Sequence, residues 1–210
     1  MRKGIRILGI NGSPFKKGTT AKVLKTALLA ARETGASSVR TFHLRGDIPH
    51  CDGRREEHLS LRQRIARVPT RGNLRAVIKA IIQADGVIFA TPTHSFSMSS
   101  RIKAVIDWLM VTVDAPEYAL KGKIAGLMAV CESDGASSAG QHMQYPLDHL
   151  GFAFPAYTSH YYYNKSSAAT DEGDWQRRGQ AIVGRNVVRQ IQINRGQKKP
   201  GDWEDDTNRW

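Results

Sequence analysis

The stretch Ala84-Asp85-Gly86-Val87-Ile88-Phe89-Ala90-Thr91-Pro92-Thr93-His94 decides the architecture of this chain. Its centre, Val87 to Ala90, is continuously apolar. A strand covered by helices on both faces carries such a run, because neither face meets water. Ile124-Ala125-Gly126-Leu127-Met128-Ala129-Val130 is a second run of this kind. Outward from these two, Ile5–Ile10, Val39–His43 and Phe152–Tyr157 read as further strands.

Helical periodicity fills the intervals. Leu74, Val77, Ile78, Ile81 and Ile82 fall on one helix face, and Ile102, Val105, Ile106, Leu109, Met110 and Val113 repeat the pattern. Leu24, Ala27, Leu28 and Ala31 mark a first helix from Thr19-Thr20 to near Gly35. A last helix runs from about Trp175 to Asn194, with Ile182, Val183, Val187 and Ile191 inward. Five strands alternating with about five helices spell βαβ units. Right-handed crossovers then predict an α/β fold with a doubly wound five-stranded parallel sheet, order 2-1-3-4-5, and helices on both faces. Residues 1–195 form one domain in this reading, and 196–210 a polar tail carrying Trp203 and Trp210. Such a tail either docks on a neighbouring subunit or stays disordered. Residues 45–70 are long, basic and irregular.

Composition narrows the function. A chain of 210 residues buries a sufficient core without staples, and Cys51 and Cys131 are too few for a disulfide framework or an iron–sulfur cluster. His50, Cys51 and His58 lack an evident fourth zinc ligand and read as surface loop residues, so no metal is expected. The apolar run at the N-terminus is too short for a secretory core, and no stretch approaches a membrane span. A cytoplasmic protein follows. The net charge of +12 raises nucleic acid as a partner, but Lys and Arg are spread along the chain without interleaved aromatics. The charge reads better as a solvated face or as attraction for anionic nucleotides.

Gly12-Ser13-Pro14-Phe15-Lys16-Lys17-Gly18-Thr19-Thr20 follows the first strand and opens the first helix. A helix N-terminus presents unpaired N–H groups and partial positive charge, so this loop is a candidate anion cradle. Ser13, Thr19 and Thr20 add hydroxyls, and Lys16 and Lys17 add charge. Five residues separate Gly12 from Gly18 and Thr19 stands where Walker A has lysine, so that motif is absent, as is G-x-G-x-x-G. An ordinary capped βα turn is the alternative. The third strand leads into Thr91-Pro92-Thr93-His94-Ser95-Phe96-Ser97-Met98-Ser99-Ser100, at the strand end where doubly wound sheets place ligands. Here Pro92 would stiffen the turn, Ser99 or Ser100 would cap the next helix, and His94 and Phe96 would pack beside a flat ring. A third loop, Cys131-Glu132-Ser133-Asp134-Gly135-Ala136-Ser137-Ser138-Ala139-Gly140, is rich in small residues that let backbone approach a ligand, or serves as a flexible connection.

Taken in order, Gly12-Ser13-Pro14…Gly18-Thr19-Thr20, Ala84 to His94 and Met98-Ser99…Ile102-Lys103…Ile106-Asp107 resemble the NADPH-dependent FMN reductase-like branch of the flavodoxin-like superfamily, over about the first 160 residues. The resemblance implies a flavodoxin-like fold and bound FMN. It implies that Ser13, Lys17, Thr19 and Thr20 hold the phosphate and that Pro92, Thr93, His94, Ser95 and Phe96 line the flavin, with Ser133, Asp134 and Gly135 as secondary contacts. A tyrosine-like position in the second loop is His94 here, and the cysteine cluster of some relatives is reduced to Cys51. The function implied is NAD(P)H-dependent reduction of a small-molecule acceptor such as a flavin or quinone, by hydride transfer through FMN, in a homo-oligomer (dimer or tetramer). FMN carries the redox chemistry, so no catalytic acid or base is assigned. An electron carrier of flavodoxin type and a flavin-free protein bound to nucleic acid remain the alternatives.

Overall fold

The structure is a computed structural model that describes residues 4–53, 58–113, 119–163 and 170–204, with backbone alone at 160, 162–163 and 170–174. Its strands are β1 (Ile5–Asn11), β2 (Ala36–His43), β3 (Gly86–His94), β4 (Ser97–Met98), β5 (Ile124–Cys131) and β6 (Ser159–Tyr163). The helices are α1 (Thr19–Glu33), α2 (Leu61–Arg67), α3 (Leu74–Gln83), α4 (Ser100–Trp108), α5 (Ala136–His149) and α6 (Thr170–Asn194). Five strands pair in parallel in the order β2-β1-β3-β5-β6, and β4 pairs antiparallel with the end of β3. With β4 set aside, this is the order expected from the alternation of runs.

The two apolar faces of the central strands explain why their sequences do not alternate. Leu8, Ile10, Val87, Phe89 and Leu127 point to one layer, where they meet Val77, Ile78 and Ile81 of α3, Ile102 and Val105 of α4, and Met143 and Leu147 of α5. Ile7, Ile88, Ala90, Met128 and Val130 point to the other, against Val23, Leu24, Ala27 and Leu28 of α1 and Val183, Val187 and Ile191 of α6. Successive side chains on a strand point to opposite faces, so a doubly covered strand must be apolar at every position. α6 lies against α1 closely enough that a Cβ at Gly184 would run into the Ala27 backbone.

Several boundaries differ from the reading of the sequence. The fifth parallel strand is Ser159–Tyr163, not Phe152–Tyr157. Phe152 is a buried core residue that meets Phe89 edge-on, with ring centroids 5.9 Å apart, and only Ala153 bridges to Ile124. Pro155 has no N–H to give a ladder, so the chain bends before the aromatic run that pairs with β5. Within the basic segment 45–70, α2 is a regular helix rather than irregular chain. Ser60 and Gln63 form a capping box at its start, the Ser60 hydroxyl accepting from Gln63 N–H and the Gln63 side chain accepting from Ser60 N–H. α6 begins at Thr170, earlier than the periodicity indicated.

The described part of the tail is folded onto its own chain. Asn186, fully buried, donates from Nδ2 to the Glu204 and Ala156 carbonyls and accepts from the Glu204 N–H at 2.8 Å. The Glu204 carboxylate faces Arg185 and Arg189, and the Trp203 indole N–H donates to Gln190. Trp210 lies outside the described residues.

Candidate functional site

Parallel pairing puts the C-terminal ends of β1, β3 and β5 on one rim of the sheet, and the three expected loops leave from it. The first loop is organised by Asn11, fully buried at the end of β1. Its Oδ1 accepts from Ser13 N–H at 3.0 Å, and its Nδ2 donates to the Phe15 carbonyl at 3.4 Å and to His43 Nδ1 at 2.9 Å. With Oδ1 taken by Ser13, the amide faces His43 with its NH2, so His43 accepts at Nδ1 and carries its proton on Nε2. Burial, with Lys16 and Arg45 adding like charge, lowers the His43 pKa and favours this neutral form.

Ser13 is buried, and its Oγ accepts from Phe15 N–H at 3.2 Å. Thr20 is buried in the first turn of α1, Thr19 half-buried, and Lys17 exposed with Lys16. Gly18 stands at the N-cap without a side chain to close the helix, and the first turn holds no acidic residue. The end of α1 therefore keeps its positive partial charge uncompensated, as an anion site requires.

Ser99 joins the first loop to the second. Its hydroxyl donates to the Gly12 carbonyl at 3.1 Å and accepts from Ile102 N–H as the cap of α4. Its own N–H donates to Thr91 Oγ1 at 2.9 Å. A side chain at Gly12 would collide with Ile102, so the close approach depends on glycine there.

The second loop is a tight hairpin. His94 pairs with Ser97, and the two turn residues Ser95 and Phe96 have φ of 47° and 61°. Two left-handed residues make a type I′ turn, which normally uses Asn-Gly. Ser-Phe in its place carries roughly 1–3 kcal/mol of strain per residue, a cost that concentrates at ligand sites. Pro92 is not in the turn but in β3, opposite Val130. His94, Ser95 and Phe96 are exposed, while Pro92 and Thr93 are half-buried.

The third loop is shorter than the sequence suggested, since β5 runs to Cys131 and α5 starts at Ala136. Ser133 and Asp134 are exposed, and Asp134 accepts from Gly135 N–H. Gly135 is buried with φ of 86°, and a Cβ there would lie 2.9 Å from the Phe96 backbone and 3.1 Å from the Thr93 side chain. Thus Ser99 ties the first loop to the second, and Gly135 seats the third against it. Lys17 and the exposed Ser133 and Asp134 make no such contact with the second loop among the described hydrogen bonds.

Sequence reading passed over Asn11, His43 and Thr91. An Asn before Gly-Ser-Pro signals an Asx-type turn and was legible. His43 was not, because only the register of β1 with β2 sets it opposite Asn11.

Residues 5–162 match the model of the family described as NADPH-dependent FMN reductase, and the chain belongs to that family. It is 30% identical over 128 residues to an iron-sulfur flavoprotein of Archaeoglobus fulgidus, a match spanning 59% of this chain and 60% of that relative. Its fold is similar to RosB with bound 8-demethyl-8-formylriboflavin-5'-phosphate (TM-score 0.68, 16% identity, 93% of this chain and 82% of that one). It is similar also to FerB, an NAD(P)H:(acceptor) oxidoreductase from Paracoccus denitrificans (TM-score 0.62, 18% identity, 89% and 98%). The chain thus spans about three fifths of the length of that iron-sulfur flavoprotein.

The residues present suit FMN. Thr93 Oγ1 is buried without a hydrogen-bond partner among the described residues, at the point where the second and third loops meet. A buried hydroxyl left unpaired costs about 1–3 kcal/mol, and a ligand's polar edge would satisfy it. The uncapped α1 terminus offers donors for a phosphate. Four cluster ligands are not available from Cys51 and Cys131, so this chain's own cysteines do not fit an iron–sulfur centre. No described helix is long and apolar enough to cross a membrane.

Proposed function

We propose that this protein is an NAD(P)H-dependent oxidoreductase that binds FMN at the rim formed by the first, second and third loops and reduces a small-molecule acceptor such as a flavin or quinone. The observation that carries this reading is the convergence of an uncapped helix N-terminus, a strained hairpin and an unpaired buried hydroxyl on one sheet edge.

Ser13, Thr19, Thr20 and the N–H groups of the first turn of α1 would hold the phosphate, with Lys17 offsetting its charge. Thr93 would donate to or accept from the ring's polar edge, and Pro92, His94, Ser95 and Phe96 would border the ring. Gly135, with Ser133 and Asp134 beside it, would let backbone close the far side. Bound FMN supplies the two-electron redox chemistry, so the chain's task is to bind, orient and exclude water. The net charge of +12 supports capture of a phosphorylated nicotinamide donor. Assembly as a homo-oligomer and a cytoplasmic setting belong to the same proposal.

The test is to titrate FMN into purified protein, following flavin fluorescence, and then to follow NADPH and NADH oxidation at 340 nm. Stoichiometric binding with oxidation above that of free FMN is the expected result. Binding without such oxidation would leave a flavin-binding electron carrier in place of the reductase.

A further inference from the structure

We infer that the cleft between α4 and α5, entered beside His94, is a binding site for a flat aromatic molecule that carries an anionic oxygen group, a carboxylate or a phenolate. The cleft measures about 900 Å³, within the range of small-molecule sites. His94, Met98, Lys103, His142, Tyr145 and Pro146 are among its lining residues.

Two properties of this lining select the ligand. The first is its apolar body. Met98, Tyr145 and Pro146 offer a thioether, an aromatic face and a ring edge, which favour a planar partner. Tyr145 is 84% exposed, so nothing within the described chain covers that face.

The second property is that one cation, Lys103, stands among hydroxyl, amide and imidazole groups able to donate, and no carboxylate is among the described lining residues. Lys103 Nζ holds the two oxygens of Asp107 at 2.6 and 2.7 Å, which leaves a third N–H for a ligand. His142 Nδ1 is paired with Ser97 Oγ at 3.0 Å, which fixes the imidazole and leaves Nε2 on its other side. Donors on an apolar floor suit an anion attached to a ring, with the Asp107 carboxylate held against Lys103. His94 belongs both to this lining and to the hairpin strand, so a ligand in the cleft borders the second loop. Calling it the seat of the electron acceptor rests on the proposed function; the binding itself does not.

The test is calorimetric titration of the full chain with 2-naphthoate and with its neutral isostere 2-naphthamide, in the presence and absence of FMN. The naphthoate should bind about tenfold more tightly, the equivalent of one directed charge-assisted contact. Lys103→Gln should remove most of that preference without weakening the amide, since the exposed Lys103–Asp107 pair contributes little to stability. Gln141→Trp, placed to fill the cleft, should abolish binding of both at an unchanged melting temperature. Equal affinities, no binding of either probe, or binding indifferent to Gln141→Trp would each overturn the inference. So would conversion of a dimer to a monomer by Gln141→Trp in sedimentation, because a second copy would then be the occupant. FMN affinity is read separately by fluorescence. Its loss with naphthoate binding intact sinks the reductase reading alone; the reverse sinks only the cleft.

Discussion

The Ser99 hydroxyl reaches the carbonyl of Gly12 at 3.1 Å, joining two loops whose residues lie 87 positions apart in the chain. The same oxygen caps α4 through Ile102 N–H, and the Ser99 N–H is held by Thr91 Oγ1. One buried side chain therefore sets both the start of α4 and the distance between the first two loops of the rim.

Replacing that oxygen should affect both. Ser99→Ala removes the cap and leaves the buried Gly12 carbonyl without this donor, for a loss of about 1–3 kcal/mol. Urea unfolding should show the lower midpoint, and FMN titration of the folded variant should show weaker binding. A variant with unchanged stability and affinity would mean the first two loops keep their spacing without Ser99.

Gly135 gives a second test at the same rim. Its φ of 86° disfavours a side chain, and an alanine Cβ would press on the Phe96 backbone at 2.9 Å. Gly135→Ala should destabilise the fold by about 1–3 kcal/mol and shift the hairpin. It should weaken FMN binding more than Ser133→Ala, whose exposed side chain faces no such contact. Equal effects of the two variants would show that loop closure at Gly135 does not shape the site.

His43 predicts a pH dependence with a defined sign. Its folded pKa is lowered from 6.5, first by burial and then by Lys16 and Arg45, so the unfolded chain binds the proton more readily. The stabilising contribution is therefore complete above pH 6.5 and is lost as pH falls through the lower folded value. Protonation would also put a donor against Asn11 Nδ2. His43→Gln, able to accept from Asn11 without titrating, should lose less stability between pH 6.5 and 5 in parallel denaturation curves. Identical slopes would remove His43 as the source.

The anchoring of the tail can be broken at one residue. Asn186→Ala deletes three hydrogen bonds from a fully buried side chain and strands the Ala156 and Glu204 backbone groups. A loss of about 2–4 kcal/mol is expected, together with faster proteolysis after Gly201. An unchanged cleavage rate would show that Arg185 and Arg189 hold Glu204 without Asn186.

Much of the rim was legible because it rests on local signals. Thr19-Thr20 opening α1, Ser99 before an amphipathic helix, and a glycine at the start of α5 each mark a boundary through backbone chemistry alone. Ser60 and Gln63 spelled a capping box of the same legible kind, although the basic charge around them masked it. Phe152–Tyr157 misled for a different reason. Apolar residues packed in a bend show the same composition as a strand, and Phe152 stabilises the core by about 1.5–3 kcal/mol without joining the sheet.

The succession of apolar runs and amphipathic helices determined the layers of the parallel sheet, because burial on two faces leaves only one kind of residue possible at each position of a central strand, and right-handed crossovers led to its order. The pairing of Asn11 with His43, the Ser99–Gly12 bond, the left-handed turn at Ser95-Phe96 and the orphaned Thr93 hydroxyl were decided only by the tertiary structure. Each depends on register and approach between segments distant in the chain, and periodicity along a sequence carries no information about which atom of one strand faces which atom of the next.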